Sequence, residues 1–188
     1  MSNAVSILNG ASFEGAVKVT EAGLRGMITL RGDLECAAIK NAVKSVIGLG
    51  VPSIRKIEAG DLGAIAWMSP DELLLMVDYD QAEPLVSKLQ ELLAGAHFMA
   101  VNVSDARATF ILEGAGAREV LAKGAPVDLS TEAFGKGEVR RSRIGQLAAA
   151  FWTLDGETFE VVCFHSFGAF MFDWLSNAAR EGSLPEYL

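Results

Sequence analysis

Four groups of residues in this chain of 188 have the types and spacing that chemistry would need. Glu113-Gly114-Ala115-Gly116 lies between an apolar run and a helical pattern, where a glycine-rich turn could cradle a pyrophosphate. Glu119 holds the position of the third glycine, and its charge opposes a phosphate, so a plain strand-to-helix turn is the expected role. His97 and His165 are the only histidines, and Cys163 is the one residue at a ligand-like spacing from either. A single Cys-x-His is a poor metal site. Asp71-Glu72 and Asp78-Tyr79-Asp80 offer paired carboxylates for acid–base work, but turn formation and helix capping account for them where they fall. Lys136, Arg140, Arg141 and Arg143 form the dense basic cluster of an otherwise acidic chain. It reads either as a docking patch for an acidic partner or as a charged strand edge exposed to solvent. A Gly-x-Ser-x-Gly elbow, a phosphate-binding loop ending in Gly-Lys and a His-Glu-x-x-His are all absent. No residue is assigned a catalytic, cofactor-binding or metal-binding role.

The composition narrows the classes further. A net charge of −8 argues against a phosphate backbone as partner. Hydrophobic content of 51% with 21% charged residues is globular and leaves room for a buried subunit interface. The start, MSNAVSILNGASFEG, has neither a basic lead nor a sustained apolar core, so no signal peptide is expected, and no apolar run reaches the length of a membrane span. Cys36 and Cys163 are expected reduced, as small apolar residues of a cytoplasmic protein.

The elements that would position these groups follow from periodicity. Residues 1–22 read as an irregular arm or a short edge strand. Residues 24–30 read as a strand, with Asp33 placed to cap a helix whose apolar stripe is Ile39, Ala42, Val43, Val46 and Ile47. Gly48 and Gly50 end that helix. After a connector at 53–61, strands at 64–68 and 72–77 flank a Ser69-Pro70-Asp71 turn. A capping box at Asp80 and Glu83 opens a helix with Leu85, Leu89, Leu92 and Leu93, and 98–103 is a fourth strand. The order is the βαββαβ of ferredoxin-like folds.

That order then recurs. Residues 109–112 repeat the first strand, and strands at 144–154 and 158–164 flank Asp155-Gly156, a strong hairpin signal. A last helix carries Phe167, Phe170, Met171, Trp174, Leu175 and Ala178, with Trp152, Phe170 and Trp174 expected between helix and sheet. Trp67 and Trp152 stand 85 positions apart, as do Glu72 and Glu157, whereas Pro52 and Pro126 stand 74 apart, so the second copy carries about 11 extra residues within 127–151. The expected fold is α+β: two ferredoxin-like βαββα repeats packed together in one compact unit sharing a core. Its parts are an arm at 1–22, repeats at 23–104 and 105–181, an insertion around 127–143 and a tail at 182–188.

Residues 110–137, FILEGAGAREVLAKGAPVDLSTEAFGKG, and 143–179, RIGQLAAAFWTLDGETFEVVCFHSFGAFMFDWLSNAA, resemble the gamma subunit family of heterotetrameric sarcosine oxidase. The family's Gly-Cys-Pro-Leu-Asp-Leu segment stands here as Gly124-Ala125-Pro126-Val127-Asp128-Leu129, and its Arg-Ser-Phe-Ala segment as His165-Ser166-Phe167-Gly168. Ala125 and His165 depart from the pattern, and a role resting on the family's Cys or Arg does not carry over.

The resemblance implies the fold of the N-terminal part of the aminomethyltransferase, or glycine-cleavage T protein. It further implies a non-catalytic accessory subunit of an enzyme that oxidatively demethylates sarcosine to glycine, yielding hydrogen peroxide and formaldehyde or methylenetetrahydrofolate. The alpha, beta and delta subunits would be partners, and FAD, FMN, NAD and tetrahydrofolate would sit on partner subunits. Docking candidates are then Lys136, Arg140, Arg141, Arg143 and His165. The alternative is a free-standing folate-binding one-carbon protein of the aminomethyltransferase-like superfamily, against which Phe134-Gly135-Lys136-Gly137-Glu138 fails to match a Lys-Gly-Cys-Tyr-type motif. A third reading is an unrelated ferredoxin-like interaction module.

Overall fold

The structure, a computed structural model, describes residues 4–187; residues 1–3 of the arm and 188 of the tail lie outside the described residues. Two short strands, β1 (Ser12–Phe13) and β2 (Lys18–Glu21), precede β3 (Gly26–Gly32), α1 (Ala37–Ile47), β4 (Ile57–Gly60), β5 (Gly63–Ser69), β6 (Glu72–Val77), α2 (Ala82–Leu92) and β7 (Phe98–Asn102). The order then recurs as β8 (Arg107–Glu113), α3 (Ala117–Ala122), β9 (Val139–Ile144), β10 (Leu147–Thr153), β11 (Phe159–Phe164) and α4 (Gly168–Ala178). These elements form a continuous unit, Arg25–Ser104, and a discontinuous one made of the chain up to Leu24 together with Asp105 onward.

The continuous unit is an antiparallel sheet in the order β4-β5-β6-β3-β7 with α1 and α2 on one face. Ile28 and Leu30 of β3 and Leu73 and Leu75 of β6 meet Ile39, Val43 and Ile47 of α1 and Val86 and Leu89 of α2. Each such side chain contributes about 1.5–3 kcal/mol by leaving water. Thr29, Leu74 and Met76 alternate with them and are buried as well, outside the helix-side cluster. The strands therefore read as unbroken apolar runs. Gly48 ends α1 in the left-handed conformation, φ 75°, its N–H donating to the Lys44 carbonyl. Neither expected cap is made by a side chain. Asp33 accepts the Glu35 N–H at 3.0 Å in the turn before α1, whose N-cap is Cys36, and α2 follows a single 3-10 turn with Gln81 at its N-cap.

In the discontinuous unit the sheet runs β1-β2-β8-β11-β10-β9, all antiparallel. Strands β8, β11, β10 and β9 occupy the places that β3, β6, β5 and β4 occupy in the other sheet, and β2 lies beside β8 as β7 lies beside β3. The arm thus supplies an interior strand, a correction to the reading of 1–22. Val17 and Val19 point into the core at 1% and 0% exposure, which fixes the register of a four-residue strand that is otherwise too short to show periodicity. Phe110, Leu112, Phe151, Phe159 and Val161 form the sheet side of that core, with Val120, Leu121, Met171 and Leu175 from the helices.

Three further expectations change. Ile65 pairs with Leu75 as Phe151 pairs with Val161, both pairs facing their helices, so the two hairpins correspond at an offset of 86 positions rather than the 85 that Trp67 and Trp152 suggest. Glu157 stands in the turn whereas its sequence counterpart Glu72 is in β6. Phe151 enters the helix-side cluster, so Trp152, 1% exposed, faces the other side of its sheet. Phe170 is 58% exposed, whereas Trp174 does pack on the core. Of the expected insertion, 127–138 is loop and the remainder is β9.

The Asp155-Gly156 hairpin shows how one carboxylate fixes a turn. Asp155 Oδ1 accepts the N–H groups of Glu157 at 2.8 Å and Thr158 at 2.7 Å. Burial opposes its ionisation, but these N–H groups and the hydroxyls of Thr158 and Thr153 outweigh burial and bring the pKa from 3.8 to about 2. A depressed carboxylate pKa stabilises the fold at pH above the unfolded value, and that contribution is lost as pH falls from about 3.8 through about 2. Melting temperatures of the unaltered chain and of Asp155→Asn are therefore expected to converge across this interval and to run parallel from pH 5 to 7.

Candidate functional site

A cleft of about 800 Å³ opens in the discontinuous unit at the end of β8, where the Glu113–Gly116 turn enters α3. Gly116 and Glu119 line it, as do Thr131 from the insertion, Thr158 from the hairpin and Leu184 from the tail. Arg118, also at its wall, is 9% exposed, and its Nη1 donates to the carbonyls of Leu129 at 2.5 Å and Phe134 at 2.8 Å. Nη2 donates to the Gly156 carbonyl at 3.3 Å. Burial pulls the guanidinium pKa down, with the charge of Glu132 acting the other way. This arginine therefore ties the insertion to the hairpin.

A pyrophosphate does not fit this turn. The buried Glu119 carboxylate accepts backbone N–H groups of Glu186 and Tyr187, and Leu184 packs so closely on Gly116 that an added methyl group there would overlap it. The reading of Glu113–Gly116 as a plain strand-to-helix turn agrees with this geometry.

The other sequence candidates are spread out. Asp71 pairs with Arg31, Nη2 to Oδ2 at 2.5 Å, and accepts the Ser69 hydroxyl at 2.6 Å; those two hydrogen bonds lower its pKa. Glu72 also lies within 3.9 Å of Arg31, so the pair serves an ion-paired turn. His97 is exposed. His165 lies in a single 3-10 turn, His165–Phe167, beyond the end of β11, so the alternation that would place it beside Cys163 does not extend to it. Among the described residues no three of His, Cys, Asp and Glu are grouped to hold a metal ion. Among them, too, no helix is long and apolar enough to cross a membrane.

Burial pushes the Cys163 thiol pKa up to about 11, with Arg107 pulling weakly the other way. At pH 8 a thiol-specific reagent is expected to leave Cys163 unmodified in the native chain and to label it once denaturant is added. Mass spectrometry of the tryptic peptide reads the difference.

The basic cluster falls on β9, the edge strand of its sheet. Arg141 and Arg143 are exposed, as is Lys136 in the preceding loop. Arg140 is held inward: it pairs with Glu138, donates to the Ala133 carbonyl at 2.8 Å and lies over the Phe134 ring at 5.2 Å. Around His165, Phe164, Phe167 and Phe170 are 45%, 44% and 58% exposed, with the Arg107 guanidinium 4.3 Å from the Phe164 ring centre. Sequence reasoning read Phe167 and Phe170 as core. The signal against that was their phase, one step off the Gly168, Met171, Leu175 and Ala178 stripe that α4 buries.

The two motif segments have clear local roles. Gly124 faces the Trp174 ring with no room for a Cβ, and its carbonyl accepts the Gly145 N–H at 3.0 Å. Ala125 is 6% exposed in the core, where a small apolar side chain suffices in place of cysteine. Asp128 Oδ1 accepts the Ser130 N–H at 2.9 Å, starting the loop that carries Leu129 inward.

Comparison with known proteins gives consistent results. The structure superposes on a chain of the heterotetrameric sarcosine oxidase from Corynebacterium sp. U-96, in complex with pyrrole 2-carboxylate, with a TM-score of 0.82 and 24% identity over 94% of this chain and 91% of that one. The glycine cleavage system aminomethyltransferase T from Bartonella henselae aligns at a TM-score of 0.62 and 14% identity, over 84% of this chain and 44% of that longer one. The expected α+β fold of the aminomethyltransferase kind is thereby borne out. In sequence, the sarcosine oxidase subunit gamma of Corynebacterium sp. (strain U-96) is 28% identical over 169 residues, covering 89% of this chain and 78% of the relative. The model of the sarcosine oxidase, gamma subunit family matches residues 31–181, which span most of both units, and the chain belongs to that family.

Proposed function

We propose that this chain is the accessory gamma subunit of a cytoplasmic heterotetrameric sarcosine oxidase, docked on larger subunits and without a reaction centre of its own. The family match over residues 31–181 carries the reading. The complex would demethylate sarcosine to glycine, reducing oxygen to hydrogen peroxide and releasing the methyl carbon as formaldehyde or passing it to tetrahydrofolate. FAD, FMN, NAD and tetrahydrofolate would be held by the alpha and beta subunits, with a delta subunit completing the assembly. In support, the glycine-rich turn at 113–116 and the Asp71-Glu72 pair serve a strand-to-helix turn and an ion-paired turn.

Docking is assigned to two places in the discontinuous unit. One is the basic edge strand, where Arg141 and Arg143, with Lys136 in the preceding loop, carry charge that suits an acidic partner surface and Arg140, paired with Glu138, braces the strand from within. The other is the turn bearing His165, where three exposed phenylalanines within seven residues form an apolar patch of the sort that marks protein contacts. Co-expression with the large subunits of such an oxidase is expected to bring this chain through size-exclusion chromatography together with flavin absorbance. A chain that elutes alone under those conditions overturns the reading. Exchanging Arg141→Glu and Arg143→Glu together is expected to weaken assembly about tenfold, mainly through a slower association rate that loses its salt dependence. Titration of labelled chain into the purified larger subunits measures both.

A further inference from the structure

The tail of the discontinuous unit is held in the way a receptor holds a peptide. Glu119, 6% exposed in α3, accepts the N–H of Glu186 on Oε2 at 2.8 Å and the N–H of Tyr187 on Oε1 at 2.7 Å. Both contacts are made to backbone, so they read main chain rather than a particular side chain. Leu184 rests on Gly116, where the lack of a Cβ makes its seat. Upstream, the Ser183 hydroxyl donates to the Ala178 or Arg180 carbonyl and accepts from Lys123, whose ammonium also reaches the Ala178 carbonyl at 2.5 Å.

The anchored segment keeps its outer side exposed at Pro185, Glu186 and Tyr187. Glu186 is in the left-handed region, φ 58°, which is uncommon for a residue with a side chain. Turning successive N–H groups toward one anion is what such a conformation achieves, so the carboxylate dictates the backbone around it. The cleft does not end at the tail: it continues past Leu184 to Arg118, Thr131 and Thr158.

We infer that Gly116, Glu119 and the adjoining cleft form a peptide-binding groove whose resident ligand is the chain's own residues 184–187. The tail is then a detachable strap. The same groove takes, in trans, a peptide segment with an apolar side chain followed two and three residues later by two consecutive N–H groups turned toward one carboxylate. An intact strap competes at an effective concentration in the millimolar range, so a second peptide enters only when the strap is weakened. This goes beyond subunit assembly and does not depend on it.

Hydrogen exchange on the full-length chain tests the strap, and a peptide titration tests the groove. In the unaltered chain the amides of Glu186 and Tyr187 are expected to exchange at least tenfold more slowly than in the free acetylated, amidated peptide of residues 182–187. Glu119→Gln is expected to remove that protection while exchange in β8 and β11 is unchanged. Leu184→Asp, which unseats the strap, is expected to bind the fluorescently labelled peptide saturably, at least tenfold more tightly than the unaltered chain does, and to lose the binding when Glu119→Gln is added. Amides of 186 and 187 that exchange in the unaltered chain as fast as in the free peptide overturn the inference. So does a Leu184→Asp chain whose strap amides are free and whose sheet is intact, yet which takes up no peptide at millimolar concentration. The exchange measurement decides on the unaltered chain whether or not the variant folds. None of these readouts involves a larger subunit, so a failure here is distinct from a failure of the assembly reading.

Discussion

Phe134→Ala is expected to destabilise the discontinuous unit by about 3–5 kcal/mol, read as a lower denaturant midpoint by circular dichroism. The residue belongs to a loop, yet its ring is fully buried. It stacks on Phe159 with centroids 5.9 Å apart and 18° between planes, and it meets Phe151 at 5.8 Å and 59°. Arg140 covers its remaining face. Truncation leaves a cavity between two strands that cannot close, because each is fixed by its sheet partners. It also frees the loop 127–138, so limited proteolysis is expected to cut there in the variant before any other site. A variant whose midpoint shifts by less than about 1 kcal/mol in free energy would show that the loop packs elsewhere.

The second large effect is expected at Arg118. Replacing it by Leu keeps much of the bulk over the Phe159 ring, whose centre lies 5.1 Å from the guanidinium carbon, but removes every donor. The carbonyls of Leu129, Phe134 and Gly156 then lose a charged partner, and the loss is about 3 kcal/mol or more. Arg118→Lys is expected to recover only part of it, since one ammonium cannot span carbonyls that a planar fork reaches together. Because Arg118 holds the backbone of Phe134, the double variant Arg118→Leu with Phe134→Ala is expected to lose at least about 1 kcal/mol less than the two single losses added together. Strict additivity in that cycle would mean that the loop and the arginine act separately.

These two residues also mark the limit of what the sequence shows. The stripe on α1 was legible residue by residue, since Ile39, Ala42, Val43, Val46 and Ile47 are all buried and the opposite face is polar. On α4 apolar residues fill two adjacent stripes, and periodicity does not say which one meets the sheet. Helix α2 has the same ambiguity: Val86 is buried where Leu92 was expected, and Leu92 is 46% exposed.

Strand β4 escaped notice and β9 was read only as one alternative for the basic cluster, a charged strand edge, for opposite reasons. One is four residues with a single buried side chain, and the other is dominated by arginines. Periodicity says nothing of Arg118, because a charge on a short helix reads as surface until the carbonyls around it are known. The family motifs were legible as letters, and the structure supplies their physics: a glycine under a tryptophan, an alanine in a core, an aspartate starting a loop.

Strand β2 has a consequence for how the chain comes together during synthesis. Its partner β8 emerges from the ribosome long after it, and Glu21 must find Phe110 across a closed loop of almost 90 residues. That closure would be slow if the intervening chain were a coil. The intervening residues are the continuous unit, and its own ends are clasped: Met27 donates its N–H to Ser104 Oγ at 2.9 Å, and Val103 donates to the Met27 carbonyl at 2.8 Å. Once that unit has folded, the distance to be searched shrinks to the few residues on either side of the clasp. The first half of the nascent chain thus serves as a template that delivers the amino terminus to the second.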